Sequence, residues 1–179
     1  MNYFRDDGFF PLFVASQEGH VQVVDALLEA GAQVNATRPK DSCTALIIAC
    51  QNGKVAVVQS LVRAGANVNQ TTSDKCGADS PLIQAAQNGH VQVVDVLVAA
   101  GARLDYARPL DGCTALFAAC QQGFIDVVRS LLSVGADPRL ALHNGFTPLA
   151  IAMHMNHPAI ANLIEARLAE LAATSAGSA

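Results

Sequence analysis

The chain has 179 residues, of which 51% are hydrophobic and 15% are charged, and its net charge is −4. This composition is too apolar for a disordered segment and suits one domain with a sizeable buried core. Lysine and arginine never cluster, so the chain lacks the positive field that attracts nucleic acids and anionic membranes. Its apolar stretches end well before the roughly 20 residues that a membrane-spanning helix needs.

The N-terminus and the cysteines predict the cellular compartment. Met1 precedes polar and acidic residues rather than a basic region and an apolar segment, so we expect no secretory signal. Five cysteines are an odd number and do not form a dense disulfide framework, which indicates a reducing environment. We therefore expect a cytoplasmic protein, with the nucleus as the alternative.

Three sets of residues recur along the chain in the same phase. A Gly-Ala pair occurs at 31–32, 65–66, 101–102 and 135–136, at spacings of 34, 36 and 34 residues. A Pro-Leu or Ala-Leu pair begins at positions 11, 45, 81, 115 and 148, and a glycine follows it at 19, 53, 89 and 123. Asn156 takes the fifth of these glycine positions, where a residue that tolerates left-handed backbone is needed. Periodicity of this length predicts an array of structural repeats.

Each unit predicts a turn, a short helix, a glycine and a second helix, in that order. In the second unit, Thr44 is placed to cap the first helix, and Leu46 and Cys50 fall on one face of it before Gly53 ends it. The valine-rich run at 91–98 could be a strand by propensity, but its apolar spacing and flanking glycines favour a helix.

Several segments resemble the ankyrin repeat. These are Thr-Pro-Leu at 147–149, Ala-Ala-Gln-Asn-Gly-His at 85–90 and Leu-Leu-Glu-Ala-Gly-Ala-Gln-Val-Asn at 27–35. The resemblance implies an all-α ankyrin-repeat solenoid of helix-turn-helix units with extended turn tips. We expect a single array over residues 1–171, with units at 6–36, 37–70, 71–106, 107–140 and 141–171, and a flexible tail at 172–179.

The two ends of the array and the third unit depart from the regular pattern. Near the N-terminus, an aromatic cluster of Tyr3, Phe4, Phe9 and Phe10 either caps the stack or is an interface for self-association of an otherwise monomeric chain. At the other end, we expect the last helix to run on and close the stack. The third unit has two extra residues in the turn at 71–78.

A longer period of 70 residues is also present. Residues 87–95 repeat residues 17–25 with one difference, and residues 108–116 echo residues 38–46. Units one and two were therefore duplicated together as units three and four. This duplication also explains why Cys43 recurs as Cys113 and Cys50 as Cys120.

The sequence contains no catalytic constellation. It has no Gly-rich phosphate loop, Gly-x-Ser-x-Gly elbow, His-Glu-x-x-His or Cys-x-x-Cys motif, so we expect no enzyme activity, cofactor or metal. Cys43 and Cys113 precede the capping threonines at the turn tips, a position that the ankyrin resemblance implies is accessible, whereas Cys50 and Cys120 should be buried. The alternative is a thiol or zinc site that uses turn cysteines and late histidines, namely Cys43, Cys76, Cys113, His143, His154 and His157.

The resemblance implies that the turn tips and the exposed side of the first helices form a concave surface that holds another protein or peptide. The first set of positions, here called the tip row, is Asp7, Phe9, Asp41, Cys43, Asp79, Asp111, Cys113, Asn144 and Phe146. The second set, here called the inner row, is Gln17, Glu18, Gln51, Asn52, Gln87, Asn88, Gln121, Gln122, His154 and Met155. Side-chain amides dominate the inner row, and Phe9 and Phe146 could anchor a ligand at its ends.

Four aspartates in the tip row, Asp7, Asp41, Asp79 and Asp111, favour a partner with basic residues. The alternative is that these aspartates only satisfy their own turns. Asn35 and Asn69 lie in Val-Asn contexts that can be hydroxylated in the ankyrin family, or they simply stabilise turns. The function predicted is a non-catalytic protein-interaction scaffold, and the alternative is a regulatory array within a larger enzyme, channel or effector.

Overall fold

Ten α-helices in five consecutive pairs make up most of residues 11–176, which are the residues that the computed structural model describes. The pairs are α1 (Pro11–Glu18) with α2 (Val21–Glu29), α3 (Ala45–Gln51) with α4 (Val55–Arg63), α5 (Pro81–Gln87) with α6 (Val91–Ala99), α7 (Ala115–Gln122) with α8 (Ile125–Ser133), and α9 (Pro148–His154) with α10 (Pro158–Ala176). A short 3-10 helix, Asp74–Cys76, lies in the long turn of the third unit. The valine-rich run is helical, as predicted.

Hydroxyl caps begin the first helix of units two to five. The Oγ1 of Thr44 accepts a hydrogen bond from the Ile47 N–H at 3.2 Å. The same cap recurs at Ser80, Thr114 and Thr147. Each cap satisfies one of the N–H groups that the first helical turn leaves without a partner, so the predicted caps are confirmed.

The glycine between the two helices of a unit has two roles. Gly53 has a φ of 66°, and Asn156 takes the same left-handed conformation with a φ of 59°, as predicted. A Cβ added at Gly53 would also lie 2.6 Å from Nδ1 of His90 in the next unit. The missing side chain therefore permits both the tight turn and the close approach of the following unit.

The helices pack in two layers with the core between them. The first helices, α1, α3, α5, α7 and α9, contact one another in chain order and form the first layer, and the second helices, α2, α4, α6, α8 and α10, form the second layer. The core includes Leu46 and Leu116 of the first layer and Leu61, Leu97 and Leu131 of the second, all at most 1% exposed. Residues 11–176 contain no strand beyond an isolated bridge, so the predicted all-α solenoid is confirmed.

The last helix continues well past the length of the other second helices. It includes the polar residues Glu165, Arg167 and Glu170, and Arg167 pairs with Glu170 at 2.9 Å. It extends to Ala176, so the segment expected to be a flexible tail from residue 172 is helical up to that point. The N-terminal aromatic cluster lies outside the described residues. Within those residues, no helix is both long and apolar enough to cross a membrane.

Candidate functional site

One arginine holds the turn of the second unit together. Arg38 donates from Nε to Oδ1 of Asp41 at 2.9 Å, and its Nη2 contacts the other oxygen of that carboxylate. The carboxylate also accepts from the N–H of Cys43 at 3.1 Å, and the Arg38 N–H donates to the Cys43 carbonyl at 2.8 Å. The turn is therefore a closed ring of local hydrogen bonds, in which the Asp41 side chain is only 14% exposed.

The turn of the fourth unit repeats this ring and adds a contact to the preceding unit. Arg108 donates to Asp111 from Nε at 2.9 Å and from Nη2 at 2.6 Å. Its Nη1 donates to Oδ1 of Asp79, in the third unit, at 2.8 Å. The second oxygen of Asp79 accepts from Nε2 of Gln84 at 3.0 Å. Arg108 therefore binds two carboxylates and joins the third unit to the fourth.

These contacts remove the physical basis for an acidic tip row. Hydrogen bonds from Arg38 and Arg108 lower the pKa values of Asp41 and Asp111 below the ordinary carboxyl value, so both groups are ionised but already paired. Asp79 is buried against Arg108. The fourth aspartate, Asp7, lies outside the described residues. The alternative interpretation, that tip aspartates satisfy their own turns, describes Asp41 and Asp111.

Cys43 and Cys113 are 5% and 4% exposed, so the expectation that their thiols are accessible is wrong. The physical reason is that the turn of the following unit docks against each one. The N–H of Ser73 donates at 2.8 Å to the carbonyl oxygen two residues before Cys43, and His143 makes the same contact beside Cys113. Burial raises the pKa of Cys43 to about 12 and that of Cys113 to about 11.

Two members of the tip row remain on the surface in the fifth unit. Asn144 is exposed, and its Oδ1 accepts from the N–H of Phe146 at 3.1 Å. The ring of Phe146 is 41% exposed and meets His154 edge to face, with 6.1 Å between the ring centroids. Phe146 thus links the tip row to the end of the inner row. Its proposed counterpart at the other end, Phe9, lies outside the described residues.

The inner row lies on the surface of the first layer. Gln17 and Gln121 are partly exposed, and the other members are exposed, namely Glu18, Gln51, Asn52, Gln87, Asn88, Gln122, His154 and Met155. Asn52 and Asn88 turn back onto their own helices, where their side-chain amides donate to backbone carbonyls at 2.8 Å and 2.7 Å. Gln17 donates to Glu18 at 3.3 Å.

Four glutamine amides of the inner row have no such internal partner. Within residues 11–176, the side chains of Gln51, Gln87, Gln121 and Gln122 make no hydrogen bond. They come from three consecutive units. Gln51, Gln87 and Gln121 lie at equivalent positions at the ends of α3, α5 and α7, and Gln122 follows at the position of Asn52 and Asn88. The row therefore presents unsatisfied donors and acceptors along one surface.

A second polar row links consecutive units. The Val-Asn motifs predict that Asn35 and Asn69 are either hydroxylated or turn-stabilising, and they do not identify Asp105. Oδ1 of Asn35 accepts from the N–H of Asn67 at 2.7 Å, and its Nδ2 donates to the carbonyl of Gly65 at 3.3 Å. Asn69 makes the same two contacts with the third unit, and Asp105 accepts from a backbone N–H of the fourth. The sequence does indicate this row, because Asn35, Asn69 and Asp105 recur at the repeat period.

Comparison with known proteins agrees with this architecture. A family model for ankyrin repeats matches the chain three times, over residues 1–72, 46–141 and 82–173. The chain belongs to the ankyrin repeat family. Ankyrin repeats generally act as protein-protein interaction modules and are typically non-catalytic.

One ankyrin segment is also similar to part of a much larger protein. Over 58 residues, 32% of the chain, it is 38% identical to Tyrosine-protein kinase HTK16 of Hydra vulgaris. The match covers 8% of the kinase's length, so the likeness concerns only a small part of that protein.

The longer turn of the third ankyrin unit contacts the second unit and the end of its own unit. Ser73 donates to the second unit, as described above. Tyr106, where the third unit ends, donates from its hydroxyl to the Ala78 carbonyl at 2.8 Å. Cys76, at the end of the 3-10 helix, is exposed, unlike the other four cysteines, which are buried free thiols.

The alternative of a zinc site finds no support in the part of the chain that the structure describes. Residues 11–176 contain no group of three or more His, Cys, Asp or Glu side chains that could hold a metal ion. His143 and His154 are exposed, and His157 packs over Gly123 of the preceding ankyrin unit. His90 packs in the same way over Gly53, and its Nε2 lies 3.0 Å from the Gln51 carbonyl.

Proposed function

We propose that this ankyrin array is a non-catalytic scaffold that binds an extended segment of another protein along the inner row. The observation that carries the proposal is the set of free amides at Gln51, Gln87, Gln121 and Gln122. Each primary amide offers two donors and one acceptor oxygen, and a peptide backbone offers an N–H and a carbonyl at every residue. A ladder of amides can therefore bind a peptide main chain with few demands on its side chains.

The aromatic pair in the fifth unit supports an anchor at one end of this site. Phe146 and His154 present an exposed apolar surface beside the end of the amide ladder. Aromatic residues are enriched among those that dominate binding energy at interfaces. A bulky apolar side chain of the partner would pack here, and Phe9 would serve as the anchor at the N-terminal end.

The charge of the tip row adds little to this specificity. Because Arg38 and Arg108 pair with all three described tip aspartates, recognition would depend mainly on hydrogen bonds and apolar contact rather than on basic residues in the partner. Cys43, Asp79 and Cys113 are buried and therefore do not contact it. The remaining exposed tip residues, Asn144 and Phe146, stay in the proposed site. We further propose a monomer in the cytoplasm, with the nucleus as the alternative, which accords with four buried free thiols.

The test uses matched glutamine substitutions on the two layers. Peptides selected on the wild-type chain from a random twelve-residue library would be titrated against a Gln51→Lys, Gln87→Lys variant by fluorescence polarisation. We expect binding at least about tenfold weaker, since two amide contacts are lost. The control variant carries Gln22→Lys and Gln92→Lys, two exposed glutamines of the second layer that add the same charge. If peptide binding weakened only in the control variant, the peptides would bind the second layer, and the proposed role of the inner row would be wrong.

A second candidate function is a regulatory or targeting array within a larger protein. The partial likeness to a tyrosine-protein kinase favours it, because there the similar segment is a small part of a long chain. Immunoblotting of the source cells with antibodies raised against this chain separates the two candidates. A scaffold made of this chain alone gives a band near 18.6 kDa, whereas a regulatory array gives a much larger one.

A further inference from the structure

The seams between neighbouring helices of the second layer are not alike. Between α6 and α8, the hydroxyl of Ser130 donates to Oδ1 of Asp95 at 2.6 Å and closes the seam. The equivalent positions between α4 and α6 are Gln59 and Val96. Val96 has no polar group to offer, so the equivalent hydrogen bond does not form. A groove of about 440 Å³ lies at this seam.

The wall of this groove is mostly apolar. Val62 of α4 and Val96, Ala99 and Ala100 of α6 line it, together with Gln59 and Arg63. Its volume falls in the range of about 300 to 1,000 Å³ that is common for ligand sites in proteins. The small alanine side chains leave room for one bulky apolar side chain between the two helices.

Arg63 supplies the only charge among the residues that line this groove. Its Nε donates to the backbone carbonyl of Gln59 at 3.3 Å, and its Nη2 donates to the hydroxyl of Ser60 at 3.1 Å. Within the described chain, no carboxylate lies within 4.0 Å of it. A guanidinium has five N–H donors, so three remain for an anion.

The adjacent groove, between α2 and α4, has a similar size but the opposite charge. Its volume is about 370 Å³, and its lining includes the carboxylates of Asp25 and Glu29 as well as the other side of Arg63. An anionic ligand is repelled there and attracted to the α4–α6 groove. The second layer therefore contains two grooves of comparable volume, of which the α4–α6 groove is the more apolar and the one without carboxylates.

We propose that the α4–α6 groove is a second docking site, which binds a segment of a partner protein that places a bulky apolar side chain next to a carboxylate. The apolar side chain packs between Val62 and Val96, and the carboxylate binds the free N–H groups of Arg63. This site lies on the second layer, whereas the inner row lies on the first layer. The two binding proposals are therefore independent, and the failure of one leaves the other intact.

Two fluorescent probes test the groove without knowledge of the partner. 8-Anilinonaphthalene-1-sulfonate combines an apolar ring system with an anion, and N-phenyl-1-naphthylamine has the same rings without the charge. Arg63→Gln should weaken binding of the anionic probe by about tenfold, as for the loss of one charge-assisted hydrogen bond, and leave the neutral probe unaffected. Arg129→Gln on α8 is the matched control, since Arg129 is also an exposed second-layer arginine. Equal loss of both probes in Arg63→Gln would overturn the assigned role of the arginine.

Filling the groove tests its location. Ala99→Phe places a ring in the groove from an exposed position. We expect this variant to abolish binding of both probes while circular dichroism remains helical. Unchanged binding of both probes in Ala99→Phe, whose exposed site tolerates the ring, would place the probes elsewhere and refute the groove.

A designed peptide pair then tests the chemistry of the partner. The probe is a fluorescein-labelled twelve-residue peptide of Phe, Leu, Glu and Ala with its apolar and acidic residues at helical spacing, and its comparison peptide replaces each Glu with Lys. The proposal requires that the acidic peptide bind more tightly than the basic one and that Arg63→Gln remove the difference. Preference for the basic peptide would assign binding to the carboxylates of the α2–α4 groove instead.

Discussion

The turns around Arg38 and Arg108 have nearly the same sequence, yet they contact the rest of the molecule differently. Each arginine closes the same ring around the aspartate three residues later. Arg108 also reaches back to Asp79 of the preceding unit at 2.8 Å. Arg38 instead lies over the ring of Phe13, with its guanidinium carbon 4.8 Å from the ring centroid.

The difference shows which part of a repeat is encoded within the unit and which part is encoded by its neighbour. Arginine, aspartate and cysteine at fixed spacing are enough to form the ring, so both copies have it. The partner that each arginine meets in the preceding unit depends on residues outside the copied turn. At the position of Asp79 in the earlier copy the chain has Phe9. The stability of such an array therefore comes partly from contacts within each unit and partly from contacts between adjacent units.

The largest effect we expect concerns the thiols that both turns bury. With pKa values of about 12 and about 11, Cys43 and Cys113 have roughly a hundredfold or more less thiolate than an ordinary cysteine at about pH 8. In a titration with 5,5′-dithiobis(2-nitrobenzoate), Cys76 should react first, and the two turn thiols should react only after addition of urea. Rapid reaction of Cys113 with protection of Cys43 would mean that the two turns are not equivalent.

The second prediction separates the two arginines by stability. Arg108→Gln leaves the buried Asp79 and also Asp111 without their cation and should lower the free energy of unfolding by about 2 kcal/mol. Among the described carboxylates, Arg38→Gln leaves Asp41 without its cation, and the loss of this pair should cost about 1 kcal/mol. Urea denaturation followed by circular dichroism gives both values. The control is Arg139→Gln, because Arg139 pairs with Asp137 at an exposed position and its loss should not be detectable.

A double-mutant cycle identifies the source of the difference. If the contact with Asp79 accounts for it, Asp79→Asn combined with Arg108→Gln should be less damaging than the sum of the two single variants, by about 1 kcal/mol. Additivity of these two variants would contradict the assigned contact.

Features that depend on a few consecutive residues could be predicted from the sequence. Thr44 caps α3 because a hydroxyl before an apolar helical run meets a first-turn N–H, and Asn156 takes a left-handed conformation because its position in the repeat requires one. The family and the two-helix unit follow from the same local patterns, repeated in phase.

Features that depend on the neighbouring unit could not be predicted in this way. The burial of Cys43 results from a turn about thirty residues further along the chain, which its own motif does not encode. The pairing of Arg108 with Asp79 requires the distance between two units, and the sequence supplies only their spacing along the chain. For the same reason the tip aspartates appeared free when most of them are bound.

A third prediction uses a difference between the copied units in the core. Ser16 is fully buried, and its hydroxyl has no hydrogen-bond partner among the described residues, whereas the equivalent residue 70 positions later is Ala86. Ser16→Ala should raise the free energy of unfolding by about 1 kcal/mol, since an unsatisfied buried hydroxyl is removed. Ser60 is also buried, but its hydroxyl accepts from Arg63 at 3.1 Å, so Ser60→Ala should destabilise the protein. Stabilisation by both substitutions would show that hydroxyl satisfaction does not decide the sign.

The smallest effect concerns the polar row between units, where Asn35 of the first unit has become Asp105 in the third. Asn35 both accepts from a backbone N–H and donates to the Gly65 carbonyl, whereas Asp105 only accepts, from the N–H of Asp137 at 2.9 Å. Asp105→Asn restores a donor for the equivalent carbonyl and should stabilise the protein by about 0.5 kcal/mol, because the site is exposed. The reverse change in the second unit, Asn69→Asp, should destabilise it by a similar amount in the same urea titration. If the two substitutions shifted stability in the same direction, the second hydrogen bond would not account for the difference between the copies, because its gain and its loss must have opposite signs.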